Sequence, residues 1–191
     1  MPLLRMREAT FVGAGASAGP VTLDLARGEG VALTCASARD AEIVALLASG
    51  IVKASSGCVL IDDYDPRVQS VACKRVAALV PHEPFPLDEG EFIRYVAYRA
   101  ALWNVEPARA RLHAMLLRKR LAGMHEAFAY PLIGALIGMP KLIVLDRPAP
   151  AYAPQILEAV GGRAVLSTHI DPVAARAFER SSGGRLAAGR P

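Results

Sequence analysis

The first third of the chain is a series of short apolar runs divided by turn residues. Alternating apolar and polar positions between glycine-containing turns predict strands, and here they cover residues 3–12, 21–26, 31–35 and 58–61. Before the last of these strands the spacing becomes helical, with Ile43, Leu46 and Leu47 on one side of a predicted helix over residues 37–50. The chain therefore opens with strands interrupted by one helix.

The rest of the chain alternates helical patterns with continuous apolar runs. Helices are predicted over residues 87–103, 107–121, 125–137 and 173–180. Continuous apolar runs, typical of buried parallel strands, cover residues 76–80, 142–145 and 164–168. The second run ends at Asp146 and the third at His169, whereas residues 181–191 are predicted to form a peripheral tail. The pattern predicts an α/β fold with functional residues at the carboxyl ends of its strands.

Composition narrows the class of protein. A chain of 191 residues with 53% hydrophobic residues is expected to form one soluble domain. Its longest apolar stretch, residues 127–140, is shorter than the roughly 18 to 20 residues that a membrane span needs. The net charge of +4 is dispersed and only 6% of residues are aromatic, which argues against a nucleic-acid partner. Cys35, Cys58 and Cys73 form no CxxC pair, so we expect no metal site and a reducing cytoplasm.

Four segments, in order, resemble the ATPase domains of ABC transporters. Residues 28–63 resemble the strand, Walker A loop and helix at the start of that family, and residues 76–103 its Q-loop and permease-facing helix. Residues 138–148 are similar to its Walker B strand, and residues 165–179 to its H-switch. The resemblance implies a single domain over residues 1–191, with a P-loop NTPase (RecA-like) core sheet and an N-terminal antiparallel β subdomain. It also implies a shortened helical subdomain over residues 84–130.

The Walker A loop of the family has lost its phosphate-binding residues in this chain. Such a loop supplies glycine N–H groups that cradle phosphates, a lysine for the β and γ phosphates, and a hydroxyl for Mg²⁺. Here the segment begins at Cys35, the later loop glycines match Ala38 and Asp40, the lysine matches Ala41, and the hydroxyl residue matches Glu42. The resemblance therefore implies that no phosphate lysine is present.

Acidic residues stand where the family binds an anion. Asp40 and Glu42 lie at the predicted helix start, where they repel a triphosphate and themselves complement the helix dipole. Ser37 and Asp40 also have the spacing of a capping box. We interpret this segment as a helix start that carries its own anion. The alternative is an ordinary helix start with no relation to a phosphate site.

The remaining catalytic positions are only partly kept. His82 matches the Q-loop glutamine, and it is either a metal ligand or, as we prefer, a solvated or hydrogen-bonded side chain. Asp146 is kept in Walker B, but Arg147 replaces the adjacent catalytic glutamate. Arg147 is expected either to pair with Asp146, Asp40 or Glu42 or to face solvent. His169 is kept at the H-switch, and without a γ-phosphate we expect it to be structural.

The signature and adenine positions are degenerate as well. The family's Leu-Ser-Gly-Gly-Gln motif matches residues 122–126, and the following helix is apolar, which indicates either a protein interface or, as we favour slightly, deeper burial. The D-loop at residues 149–154 has no aspartate. The aromatic residue that stacks on adenine matches Val12, and the neighbouring Phe11 is expected in the core.

These losses predict a pseudo-ATPase. In working ABC dimers each ATP lies between Walker A of one subunit and the signature of the other, and this chain has lost both. We therefore expect an inactive structural or regulatory subunit without a cofactor, since ATP and Mg²⁺ are needed only if divergent motifs still support hydrolysis. The resemblance implies an integral membrane permease or another ABC ATPase subunit as partner, with a dimer as an option, at the inner face of the membrane. An unrelated hydrolase is disfavoured because no GxSxG or HExxH motif occurs.

The predicted permease contact lies in the segment that follows the Q-loop position. Its aromatic residues are of the kind enriched in interfaces, and the candidates are Phe85, Phe92, Tyr95, Tyr98 and Trp103. The alternative is that these side chains pack within the helical subdomain.

Overall fold

A computed structural model describes residues 1–13, 15–83, 86–182 and 185–188, without the side chains of residues 180–182 and 185–188. In chain order its elements are β1 (Leu4–Gly13), β2 (Ala16–Leu25), β3 (Gly30–Thr34), α1 (Ala38–Ala48), β4 (Ser56–Ile61), α2 (Ser70–Val76), β5 (Ala77–Val80), α3 (Glu89–Trp103), α4 (Pro107–Arg120), α5 (Glu126–Leu136), β6 (Leu142–Asp146), a 3₁₀ turn (Pro150–Tyr152), α6 (Ala153–Val160), β7 (Ala164–His169), α7 (Pro172–Ser182) and β8 (Arg185–Ala188). The order of strands and helices follows the hydrophobic pattern of the sequence.

The N-terminal strands form an antiparallel sheet in the order β2-β1-β4. β2 begins at Ala16, earlier than predicted, because it pairs with β1 up to the register Gly13–Ala16 and leaves little of the expected loop. The buried side of this sheet, including Leu4, Met6 and Ile61, belongs to the same apolar core as α1 and part of the parallel sheet. The predicted antiparallel β subdomain is therefore confirmed.

The second sheet is parallel, in the order β5-β6-β7-β3-β8. Its central strands are buried on both faces, which explains their continuous apolar sequences. Within the segment predicted as a peripheral tail, residues 185–188 form the edge strand β8, which pairs with β3 from Val31 to Thr34. Backbone pairing along the β3 edge gives this short segment its place in the sheet, and residues 183–184 and 189–191 lie outside the description.

Helices α3, α4 and α5 make up the helical part of the chain. α3 starts with a complete capping box between Asp88 and Glu91, and α4 starts with Pro107 after the capping side chain of Glu106. α5 is buried over most of its length, so the burial alternative for this apolar helix is the one observed. The sequence did not predict α2, whose seven residues run directly into β5. Within the described residues, no helix has both the length and the apolar character needed to cross a membrane.

Candidate functional site

The carboxyl edge of the parallel sheet brings the predicted site residues together. Asp146 ends β6 and pairs in register with Thr168, while His169 ends β7 and pairs with Thr34. Cys35 follows β3 directly, and its N–H donates to the carbonyl oxygen of His169 at 2.7 Å. His82 follows β5, the strand beside β6. Positions distant in sequence therefore border one site, because parallel strands present their carboxyl ends at the same edge.

The connection from β3 to α1 is too short to wrap around a phosphate. Only residues 35–37 separate the strand from the helix, so Ala38 and Asp40, which match loop glycines, lie in the first helical turn. The Ser37 hydroxyl accepts the Asp40 N–H at 3.0 Å and caps the helix. Among the described bonds the capping box is half formed, since the return bond from the Ser37 N–H to the Asp40 carboxylate is absent. A phosphate-binding loop instead needs several free N–H groups ahead of its helix.

Glu42 of α1 pairs with a cation on its own helix. Arg39 Nη1 lies 2.8 Å from Glu42 Oε2, so Glu42 pairs with Arg39 and not with Arg147. The cavity bordered by Cys35, Asp40 and β2 has a volume of about 100 Å³, well below the roughly 300 Å³ at which small-molecule pockets begin. Burial, with smaller effects of Asp40 and Asp146, raises the pKa of the Cys35 thiol to about 12. The space beside the loop is therefore small, and the described residues that line it include no lysine or arginine.

Arg147 pairs with Asp146, the residue that the sequence analysis matched to the Walker B aspartate. Its Nε and Nη2 atoms donate to the two carboxylate oxygens of Asp146 at 2.9 and 3.0 Å. The Thr168 hydroxyl donates to the same carboxylate at 3.2 Å, and the Arg147 N–H donates to the Thr168 carbonyl oxygen at 3.0 Å. The hydrogen bonds from the guanidinium to Asp146 raise the pKa of Arg147 further. Of the arrangements expected for Arg147, the structure has the pair with Asp146.

His169 is held as a neutral, buried side chain. Its Nε2 is hydrogen-bonded to the Ser167 hydroxyl at 2.9 Å, and that hydroxyl lies 3.5 Å from the Val31 carbonyl oxygen. Its ring lies 5.7 Å from that of Phe178. Burial lowers the pKa of His169 to about 4, against a smaller raising effect of Asp171. The contacts of His169 are therefore typical of a side chain packed in the protein interior.

His82 is exposed, and its contact is to backbone. The Nδ1 atom lies 3.0 Å from the carbonyl oxygen of Arg147, which accepts its hydrogen. No group of three or more His, Cys, Asp or Glu side chains arranged to hold a metal occurs in the described part of the chain. The hydrogen-bonded alternative is therefore the one observed for His82.

The helix start at the signature position is also capped by its own side chains. His125 Nδ1 accepts the Ala127 N–H at 3.3 Å, and Glu126 pairs with Arg118 at 2.7 Å. A hydrogen bond from Tyr130 and the pairing with Arg118 lower the pKa of Glu126. Sequence reasoning missed Arg118 and Tyr130, because neither residue lies in a recognisable motif. As at α1, an acidic side chain stands at the start of the helix.

The predicted aromatic interface is largely internal. Phe92 is buried and stacks on Tyr130 with ring centroids 4.1 Å apart, so it is not a surface anchor. Tyr95 and Trp103 are half-buried and lie over glycines: an added Cβ at Gly134 would lie 2.3 Å from Tyr95, and one at Gly138 would lie 1.9 Å from Trp103.

The other aromatic candidates have different environments. Tyr98 is exposed, and it is the one member of the predicted interface that the described structure leaves largely open to solvent. Phe85 lies outside the described residues. Phe11 is half-buried against the core, as expected, and Val12 is exposed, so the adenine position holds no aromatic side chain.

Together these elements define an α/β domain in which the predicted site residues lie at the carboxyl edge of a parallel sheet. Solved structures identify the particular fold. An ATP-binding subunit of an ABC transporter superposes with a TM-score of 0.74 at 17% identity, covering 92% of this chain and 82% of that chain. The cbiO1 protein of Clostridium perfringens, part of the ABC transporter complex cbiONQ, gives 0.67 at 17% identity, covering 89% and 79%. A bacterial ABC transporter cassette solved as a dimer gives 0.68 at 16% identity, covering 97% and 93%.

The chain therefore has the fold of ABC transporter ATP-binding subunits, with the expected core sheet and antiparallel β subdomain. A comparison with protein families finds no matching family model, and a comparison with curated proteins finds no match. These structural neighbours are 15 to 17% identical to the chain, so the likeness shows the fold alone.

Proposed function

We propose that this protein is a catalytically inactive ABC-type subunit, a pseudo-ATPase, and acts as a structural or regulatory component of a membrane transporter complex. The observation that carries the proposal is the connection at residues 35–37, which enters α1 without a phosphate-binding loop. The Ser37 hydroxyl caps the start of α1, and Arg39 pairs with Glu42 in the first turns of the same helix.

Both parts of a composite ATP site are affected. The start of α5, at the signature position, is capped by His125 and carries Glu126 in its first turn. A carboxylate there opposes the binding of another anion, because it is already favoured by the helix dipole and by Arg118. Neither helix start is therefore suited to hold a triphosphate, in this subunit or across a dimer.

The alternative function is ATP binding and hydrolysis through divergent motifs. Asp146 and His169 favour it, since both lie at the strand ends where the family has catalytic groups. However, Asp146 is bound by Arg147 and His169 by Ser167. Phosphoryl transfer depends on positioning and on charge stabilisation by a lysine, Mg²⁺ and a water-orienting side chain, and the residues at these positions do not supply them.

The partner we propose is an integral membrane permease, with another ABC ATPase subunit as a further component. One structural neighbour is described as part of an ABC transporter complex. In this chain a groove of about 350 Å³ lies between α2 and the end of α3, and Lys74, Arg99, Leu102 and Trp103 help to line it. Exposed Tyr98 lies on the same helix. This groove is our candidate contact, and a permease bound there would hold the protein at the inner face of the membrane.

Calorimetric titration of Mg-ATP into the purified protein tests the inactive site. We expect no heat of specific binding, and a dissociation constant in the micromolar range would contradict the proposal. The variant Asp40→Ala/Glu42→Ala is the matched control, because it removes the acidic charges but restores neither the lysine nor the loop. It should melt at a lower temperature and still bind no ATP. If it gains ATP binding, charge repulsion alone accounts for the exclusion of nucleotide.

Recovery of a permease from solubilised membranes tests the partner. Tagged wild-type protein should recover a multi-span membrane protein that the variants Tyr98→Glu and Leu102→Glu lose. Val12→Glu is the control, since Val12 is also exposed but lies on the antiparallel sheet. Equal recovery by all variants would remove this surface from the proposal.

A further inference from the structure

The exposed side of α2 and of the turn before it combines apolar side chains with cations. We call this surface the α2 patch, and its residues are Val68, Val71, Lys74 and Arg75. Val68 is 80% exposed and Val71 is 66% exposed, so both leave apolar surface in contact with water. The other side of α2 holds Cys73 and Val76, which are buried in the core. The α2 patch is therefore the outward side of a short amphipathic helix.

The positive charge of the α2 patch has no acidic partner nearby. Within the described residues, neither Lys74 nor Arg75 forms an ion pair. Both also border the candidate permease groove, where Arg99 adds a third cation and the lining contains no Asp or Glu. The patch is therefore cationic as well as apolar.

The acids nearest in sequence lie in the turn that precedes α2. Asp65 accepts two hydrogen bonds from the Arg67 guanidinium through one oxygen, at 2.7 and 3.0 Å. Asp62 lies 2.6 Å from the Lys141 ammonium group. Asp63 is exposed and forms no ion pair in the described part of the chain. One unpaired carboxylate thus stands against the three cations, and the surface keeps a positive charge.

The helix dipole explains only part of this arrangement. Cations in the last turn of a helix are stabilised by its dipole, and both Lys74 and Arg75 lie in the last turn of α2. The dipole gives no reason for Val68 and Val71 to remain exposed beside them. A ligand that satisfies the whole patch needs negative charges for the cations and an apolar layer for the valines.

The surface of an anionic membrane has both properties. Each Lys or Arg close to such a surface strengthens binding roughly fivefold, and apolar side chains beside the cations reach the boundary between headgroups and acyl chains. A protein partner fits this patch less well, because a stable protein interface takes about 20 to 30 residues a side. Four outward side chains are few for a protein interface but sufficient for weak contact with lipid.

We propose that the α2 patch binds the anionic phospholipid headgroups of a membrane surface. Lys74 and Arg75 contact the lipid phosphates, and Val68 and Val71 lie at the level of the headgroups. The inference rests on the proposed function in one respect, since a permease in the neighbouring groove would bring α2 close to the membrane. Lipid binding itself requires no permease.

Sedimentation with vesicles tests the proposal. The wild type should sediment with phosphatidylcholine vesicles that contain phosphatidylglycerol, less so as salt is raised, and not with pure phosphatidylcholine. Lys74→Glu/Arg75→Glu should weaken binding by at least about tenfold. The matched control is Lys119→Glu/Arg120→Glu, which changes the net charge equally in the last turn of α4 and should weaken binding less than about threefold. Urea denaturation establishes that each variant is folded.

Two results of this experiment would overturn the proposal. The first is that the wild type does not bind the anionic vesicles. The second is an equal loss of binding in the two double variants, which would mean that net charge and not the α2 patch determines it.

A tryptophan reporter locates the contact. Val71→Trp should bind anionic vesicles more tightly than the wild type, and its emission should shift to shorter wavelength, because tryptophan favours the headgroup level. Val12→Trp is the control, since Val12 is 65% exposed but lies on the antiparallel sheet. Each spectrum is compared with that of the wild type, whose single tryptophan is Trp103. The same emission shift in both variants would exclude the α2 patch as the contact.

Two further measurements separate lipid from protein ligands. Labelled polyglutamate is the probe for an acidic protein segment, and tighter binding of polyglutamate than of anionic vesicles at equal charge concentration would overturn the proposal. Tyr98→Glu, which should lose the permease, should still bind vesicles, and its failure to do so would move the lipid contact to α3. Since the vesicles contain no permease, failure of lipid binding leaves the proposed partner to its own test.

Discussion

Breaking the ion pair between Arg147 and Asp146 tests whether this pair stabilises the folded protein. Replacing Arg147 by Met keeps most of the aliphatic bulk but removes both hydrogen bonds to Asp146, whose side chain is 5% exposed. Removing one partner of a buried ion pair costs about 3 to 5 kcal/mol. Because the Arg147 side chain is itself 18% exposed, we expect the lower end, about 3 kcal/mol. For a chain of this length that corresponds to a decrease in Tm of about 6 to 12 °C.

Urea denaturation measures the change, with two variants for comparison. Arg39→Met removes an exposed pair of similar length, with Glu42, and should cost at most about 0.5 kcal/mol. Asp146→Asn/Arg147→Met removes both charges and should recover most of the lost stability, because no unpaired charge is left buried. If Arg147→Met costs no more than Arg39→Met, the closed pair does not stabilise the site, and our account of it is wrong.

Two further predictions follow from buried groups. The pKa of His169 is lowered to about 4 in the folded protein, so the unfolded chain takes up the proton first as the pH falls. The contribution of neutral His169 to the free energy of unfolding is therefore complete above about pH 6.5 and is lost below it. Between pH 6.5 and 5 the wild type should lose about 1.5 kcal/mol more than His169→Gln, and parallel pH profiles in urea denaturation would contradict this. Gly134→Ala should cost about 1 to 3 kcal/mol, because its Cβ would overlap the Tyr95 ring, whereas Gly90→Ala, near the start of α3, should be neutral or stabilising. Similar midpoints in thermal melts of the two variants would show that Tyr95 does not require this glycine.

Local sequence patterns predicted much of the architecture. The buried strands β6 and β7 and the helices α3, α4 and α5 were predicted to within about two residues at each end, because hydrophobic spacing and capping residues are local signals. The helix α2 and the strand β8 were not predicted. α2 is too short to show a helical period, and β8 is defined by its pairing with β3.

The contacts at the site also divide into those that local sequence specifies and those that depend on the packing of distant segments. Arg39 precedes Glu42 by three residues, so their pairing was readable from helix geometry, although it was not predicted. The contact between Arg118 and Glu126, on different helices, and the stacking of Phe92 on Tyr130 depend on how α3, α4 and α5 pack. An aromatic residue in a helix has the same sequence signal whether it faces a neighbouring helix or solvent.

The sequence by itself predicted the order of the strands and helices, and it led to the hypothesis that the phosphate-binding residues are missing, since both are read from single segments. Only the tertiary structure showed three further features of the site and its surroundings. Arg147 pairs with Asp146, three residues connect β3 to α1, and Phe92 is buried. These outcomes depend on which side chains meet across the sheet edge and between helices. Burial and pairing of charges are set by such long-range contacts, and local spacing does not specify them.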